Sequence, residues 1–277
     1  MASVNMADVK RLREMTAAGM MDCKKALEEA EGDFDKAIDI LRLKGAKDVG
    51  KREARTASNG LVAVKHEGDS LAALLELNCE TDFVAKNERF QQLAADIVAH
   101  VAATKPGDVP TLLESQLNGK SVKELLDETN AALGEKIEIR RFSVLDGGYI
   151  VSYMHKTDPQ LPPAVGVLIQ LDEPNAEVAK DIAQHTAAMA PRFLSPADVP
   201  AEVIEKERSL FEQMTRDEGK PEAAISKIVD GRVNGWFKDF TLVEQAFVKD
   251  NKKTIAKVAD EAGVRVLAFT RYKVGQA

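Results

Sequence analysis

The sequence predicts an α+β protein: three small helices, then a duplicated strand–strand–helix core, with a helical hairpin inserted late in the chain. Three observations carry this expectation. The first fifty residues show only helical spacing of apolar positions. From Gly60 the spacing changes to strand-like alternation. One helical stretch then recurs 85 positions downstream.

At 277 residues the chain is too long for one core of ordinary size, so about two units with appendages are expected. Charged residues make up 30 % and the formal net charge is −7, which argues against the broad basic face that nucleic-acid binding needs. The single basic cluster, Lys47 to Arg55, reads at least as well as a solvated linker. Cys23 and Cys79 lie 56 positions apart without metal-ligand or redox spacing, and reduced thiols in a cytoplasmic protein are expected. The N-terminus carries no apolar signal segment, and no apolar run approaches the roughly 18 residues of a membrane helix.

The elements follow in order. Asp8 can cap a first helix with Val9, Leu12 and Met15 on its stripe, and Gly19 breaks it. A second helix from Met20 can end at Gly32 in the left-handed conformation. Asp33 caps a third, with Phe34, Ala37, Ile38 and Leu41 at helical spacing and Gly45 as the stop. The polar segment from Ala46 to Asn59 reads as a linker. "GLVAVKHEGDSLAALLELN" is a β-hairpin turning at Glu67–Gly68–Asp69. The helix "FQQLAADIVAHVAAT" follows, then three strands, "EKIEIRRFSVL", "GGYIVSYMH" and "AVGVLIQLD", and the helix "AEVAKDIAQHTAAMA".

Setting Leu93–Ala103 over Val178–Ala188 matches six of eleven positions, and each helix follows a hairpin ending in Leu77–Asn78 or Leu171–Asp172. This is an internal duplication of a strand–strand–helix unit. The first copy carries nine more residues between strand and helix, and they contain "TDFVAKNER". Between Pro196 and Phe240 two helices meet at Gly219–Lys220–Pro221. The second has the stripe Ile225, Ile228, Val229, Val233, Trp236 and Phe237, and the first a sparser one of Val203, Ile204, Leu210, Phe211 and Met214. They read as an antiparallel hairpin projecting from the second copy, and a strand, "VRVLAFTRYKV", closes the chain. The expected boundaries are 1–45 for the three helices, 46–59 for the linker and 60–140 for the first core half. The second half takes 141–194 and 241–277, around a hairpin at 195–240.

The common phosphate-binding, serine-nucleophile and zinc-protease motifs are absent from the sequence. Cys79 beside Glu80 is either a thiol nucleophile or a small apolar residue at a strand end. His100 and His185, equivalent in the duplication, are either metal ligands facing each other or helix–helix contacts. Met20 and Met21, with Arg13 nearby, either fill a small core or form an adaptable binding surface. Phe83 either folds back to cap the core or stands out as an apolar wedge beside the Asp82 carboxylate.

At these residues the chain resembles a known family. "LREMTAAGMMDCKKALEEAEGDFDKAIDILRLKGA" and "ELNCETDFVAKNERF" are similar to bacterial elongation factor Ts, the nucleotide exchange factor of elongation factor Tu, and "IEIRRF", "GKPE", "IVDGR" and "FTRYKVG" extend the resemblance over the chain. Longer members carry a C-terminal helical extension beyond the position of Ala277. The resemblance implies a ubiquitin-associated-like (UBA-like) N-terminal domain, antiparallel sheets in the duplicated core and a coiled-coil-like hairpin. It implies that Thr81, Asp82, Phe83 and Val84 displace magnesium from the partner's nucleotide site, and that Arg13, Met20, Met21 and His155 touch the partner. It implies elongation factor Tu, GDP-bound or nucleotide-free, as the partner, with no nucleic acid, membrane or cofactor and no bond chemistry. Two other functions fit the bare residues: an adaptor that leaves nucleotide affinity unchanged, and an enzyme using Cys79.

Overall fold

The computed structural model describes residues 5–16, 18–52 and 54–276, with the backbone alone at 42 and 45–52. It divides into two compact units. One holds the chain up to Val144 with Met154–Gly166 and the segment from Tyr272; the other holds Leu145–Tyr153 and Val167–Arg271. Among the described residues no helix is long and apolar enough to cross a membrane.

Three helices open the chain: α1 (Met6–Thr16), α2 (Met20–Glu29) and α3 (Phe34–Arg52). The Asp8 amide donates to the Asn5 side chain at 2.8 Å, so Asn5 takes the capping role expected of Asp8. Val9 and Leu12 are buried with Cys23, Ala26, Leu27 and Ala37, whereas Met15 faces outward. Gly32 takes the expected positive φ of 88°. Asp33 caps α3 as expected, accepting from the Asp35 and Lys36 amides at 3.0 and 3.1 Å.

The first repeat begins with β1 (Asn59–Glu67) and β2 (Leu71–Cys79), paired antiparallel with Leu61 opposite Leu77. A one-turn helix, α4 (Asp82–Ala85), precedes α5 (Glu88–Thr104). The next stretch holds elements beyond those expected: α6 (Val109–Glu114), the two-residue strands β3 (Gln116–Leu117) and β4 (Lys120–Ser121), and α7 (Val122–Leu133). Its signals were present: Asn118–Gly119 is a hairpin turn, and Ser121 with Glu124 forms a reciprocal capping box. β5 (Glu138–Asp146) completes a sheet of order β1-β2-β5. Against the expectation of a stop at Gly45, α3 continues to Arg52. It lies along α7, and such a tertiary contact offsets the roughly 1 kcal/mol that a glycine costs inside a helix. The segment expected as linker is therefore helical over its first half. Of the basic cluster there, the side chains at 47–53 lie outside the described residues.

The second repeat runs β6 (Tyr149–His155), β7 (Val165–Leu171), α8 (Ala176–Met189), α9 (Ala201–Asp217), α10 (Glu222–Phe240), β8 (Ala246–Phe247), β9 (Asp250–Thr254), α11 (Ile255–Glu261) and β10 (Val266–Lys273). Its sheet has the order β6-β7-β10, which mirrors β1-β2-β5 strand for strand. The duplication is thus longer than the sequence showed, because β8, β9 and α11 stand where β3, β4 and α7 stand in the first repeat. Ser121 and Thr254 cap the equivalent helices, and Leu112 and Leu242 are both fully buried. Two glycines also correspond. A Cβ at Gly60 would lie 2.1 Å from the Leu77 carbonyl oxygen, and one at Gly148 would lie 2.3 Å from that of Leu171, each at positive φ.

Each repeat has its own core. Leu75, Leu77, Phe90, Ile97 and Leu112 centre the first, and Val167, Ile169, Ile182, Leu242 and Ile255 the second. Helices α9 and α10 share a further cluster of Ile225, Val229 and Val233, with Ile204, Phe211 and Phe237 against it. Two ion pairs, both at 2.7 Å, link them: Arg208 of α9 with Asp230 of α10, and Arg232 of α10 with Glu218 just past the end of α9. Leu210 and Met214, expected on the inner stripe of α9, are exposed.

Candidate functional site

The nine residues that distinguish the first repeat between Leu77 and Leu93 are spread over three places. Two lengthen β2, four lengthen the connection and three lengthen the start of α5. The connection is ordered by its own polar residues. Thr81 caps α4 by accepting from the Val84 amide, and Asn87 caps α5 by accepting from the Arg89 amide at 2.9 Å. The Gln91 side chain donates to the carbonyls of Ala85 and Lys86 at 3.3 and 3.1 Å, closing the turn from the helix side.

This single turn sorts its side chains sharply. Val84 and Ala85 are buried in the first core with Cys79 and Phe90. Phe83 points the other way and is 82 % exposed. Of the two readings of Phe83, the core cap is ruled out by that exposure. Burying such a ring would be worth on the order of 2–3 kcal/mol, and the fold leaves it in water. Asp82 is half-buried, with the Lys86 ammonium 3.7 Å away. The insertion is also more structural than its absence from the second repeat suggested, since Val84, Ala85 and Phe90 belong to the core.

The root of the turn is held by charge. Glu135, just after α7, accepts from the Glu80 and Thr81 amides at 3.1 and 3.0 Å and from the Thr81 hydroxyl at 2.5 Å. In return Glu80 accepts from the Lys136 amide at 2.7 Å and from Arg55 at 3.2 Å. The Asn59 side chain donates to the Glu80 carbonyl at 2.7 Å. No sequence signal pointed to Glu135, which is 54 positions from Thr81.

The remaining candidates stand elsewhere. Arg13 is exposed on α1, Met21 is exposed on α2, and Met20 packs half-buried against the three-helix core. His155 is exposed at the end of β6. Only Thr81–Val84 form one contiguous cluster.

The enzymatic alternatives lose their chemistry. Burial, followed by the nearby Glu135 charge, pushes the Cys79 thiol up to about 12, the reverse of an activated nucleophile. Its Sγ donates to the Thr81 carbonyl at 3.1 Å. The two equivalent histidines are hydrogen-bonded within their own repeats. His100 Nε2 meets Ser115 Oγ at 2.7 Å, and His185 Nε2 meets Gln245 Oε1 at 2.9 Å. In each repeat the ring holds the segment before the small hairpin. Among the described residues no group of three His, Cys, Asp or Glu could hold a metal ion.

A family model described as "Elongation factor TS" matches residues 80–276, which takes in the turn, the rest of the first repeat after β2 and the whole of the second. The chain belongs to the elongation factor Ts family. Proteins named elongation factor Ts from Thermobifida fusca (strain YX) and Acidothermus cellulolyticus are 63 % and 58 % identical to it, each over the whole of both chains. That of Streptomyces coelicolor is 56 % identical over 99 % of this chain and all of its own length. The protein is accordingly a translation elongation factor, acting as nucleotide exchange factor of elongation factor Tu.

Proposed function

We propose that this elongation factor Ts binds GDP-loaded elongation factor Tu and presses the Thr81–Val84 turn against its nucleotide site. The turn displaces the magnesium ion held there and disturbs the phosphate cradle, so that GDP leaves and GTP can enter. The observation that carries this reading is the bare Phe83 on a capped turn that the second repeat lacks. A G protein holds GDP largely through magnesium bridging the phosphates and a backbone cradle around them. Phe83 can wedge into such a site without needing a hydrogen bond, and the Asp82 carboxylate competes for the waters and donors that order the ion. Thr81 roots the turn, and buried Val84 anchors it. Arg13, Met20, Met21 and His155 serve as partner contacts. The helices of 1–45 act as a UBA-like docking domain, and 195–240 as a projecting, coiled-coil-like hairpin. Partner binding opposes nucleotide binding reciprocally, so the factor also holds the nucleotide-free partner, and no bond is made or broken. The reading places the protein in the cytoplasm, where translation runs.

The test is the release rate of labelled GDP from elongation factor Tu at saturating factor. Phe83→Ala should slow release much more than it weakens the complex. Asp82→Ala should act in the same direction, with an effect that shrinks once magnesium is chelated. Undiminished release by Phe83→Ala would refute the wedge.

A further inference from the structure

The two repeats treat the exit of their second strand alike in one respect and differently in another. In the first, the Glu80 carboxylate accepts from the Lys136 amide at 2.7 Å; in the second, the Asp172 carboxylate accepts from the Arg265 amide at 2.7 Å. Lys136 and Arg265 are equivalent, each two positions beyond a glycine of positive φ, Gly134 or Gly263, that follows α7 or α11. The residue between glycine and cation is where the repeats part. In the second repeat it is Val264, buried in the core. In the first it is Glu135, whose carboxylate takes two amides and a hydroxyl from Glu80 and Thr81. A fold that closes with Val at this position does not need the carboxylate for closure. Glu135 occurs in the repeat that carries the exposed aromatic, and its partners are the two residues from which that turn springs.

We infer that Glu135 is a positioning residue for nucleotide exchange: it fixes the exit angle of the α4 turn and thereby aims Phe83. It touches neither the nucleotide nor, by this reading, the partner. The physical basis is that three donors on one carboxylate are charge-assisted bonds, about twice as strong as neutral ones, and two of them constrain consecutive peptide planes. With the exit free to rotate, Phe83 would be presented over a spread of directions, and a wedge loses much of its effect when displaced by about 1 Å. The inference rests on the proposed role of Phe83.

The experiment is a double-mutant cycle read as GDP release at saturating factor, with the half-saturating factor concentration measured alongside. Glu135→Val, which installs the residue of the other repeat, should slow release roughly tenfold, the loss expected of one charged contact, while half-saturation moves little. Glu135→Asp keeps the charge but shortens its reach by one methylene. It should also slow release, and its folding is not at risk. Glu135→Gln keeps a carbonyl acceptor for the two amides but loses the charge, so its rate should fall between those of the parent and the Val variant. In a Phe83→Ala background Glu135→Val should add nothing. Three outcomes overturn the inference: full release rates for both the Val and Asp variants, an equal slowing with and without Phe83, or a Gln variant no better than Val. If Phe83→Ala itself releases GDP at the full rate, the wedge reading has failed first.

Discussion

The two repeats share a plan and differ in what was inserted into it. The first carries one extra turn between β2 and α5; the second carries the helix pair α9–α10 between α8 and β8. The contrast lies in their aromatics. Trp236 of the second insertion is 7 % exposed, within 4.9–6.2 Å of the rings of Phe193, Phe237 and Phe240. Phe83 of the first stands in water. A large insertion can bury its own apolar residues and become a small core, whereas a four-residue turn cannot cover a ring that points away from the sheet. One aromatic therefore serves stability, and the other is available to a partner.

The largest expected effect breaks the comparison at Trp236. Trp236→Ala should destabilise the second unit by about 3–5 kcal/mol, seen as a lower denaturation midpoint. A midpoint within error of the parent would mean that its ring contacts contribute little. Phe83→Ala should do the converse. Its folding free energy should stay within about 0.5 kcal/mol of the parent, as for other surface changes. GDP release should fall by roughly thirtyfold or more, the size of an interface hot spot. A matching loss of thermal stability would return Phe83 to the core.

Two smaller effects sharpen the correspondence between repeats. Ser121→Ala and Thr254→Ala each remove the cap of an equivalent helix and should cost about 1 kcal/mol apiece. A cost at only one of them, by urea denaturation, would show that the two hairpin–helix units are not energetic equivalents. The smallest effect is a slope with pH. Burial lowers the pKa of His185 from its ordinary 6.5. Its Nδ1 accepts from the Val248 amide at 3.3 Å, which fixes the neutral ring with Nε2–H donating to Gln245. Below about pH 6.5 the unfolded chain binds the proton that the folded chain refuses, so stability should fall as pH drops towards the depressed value. Replacing His185 by Gln should flatten that slope in melting curves taken from pH 7.5 to 5. An unchanged slope would place the titration elsewhere, with His66, also lowered by burial, as the next group to replace.

Much of this molecule was legible before any fold was known, and the reason is distance along the chain. Caps, turns and amphipathic stripes are interactions over about four residues, so Asp33 at the start of α3, the β1–β2 hairpin and the Trp236 stripe all show in local spacing. The repeat was visible because a duplicated helix keeps its buried positions, as Ile97 and Ile182 do. Tertiary structure decided what local spacing leaves open. The continuation of α3 past Gly45 depends on α7 lying beside it, far along the chain. His100 and His185 found Ser115 and Gln245, neither within a helical turn of its histidine. A phenylalanine in a short turn has no periodicity to say which way it faces. Phe83 faces water because Val84 and Ala85 occupy the side towards the core, and its root is held by Glu135 because folding brings the end of α7 to the end of β2.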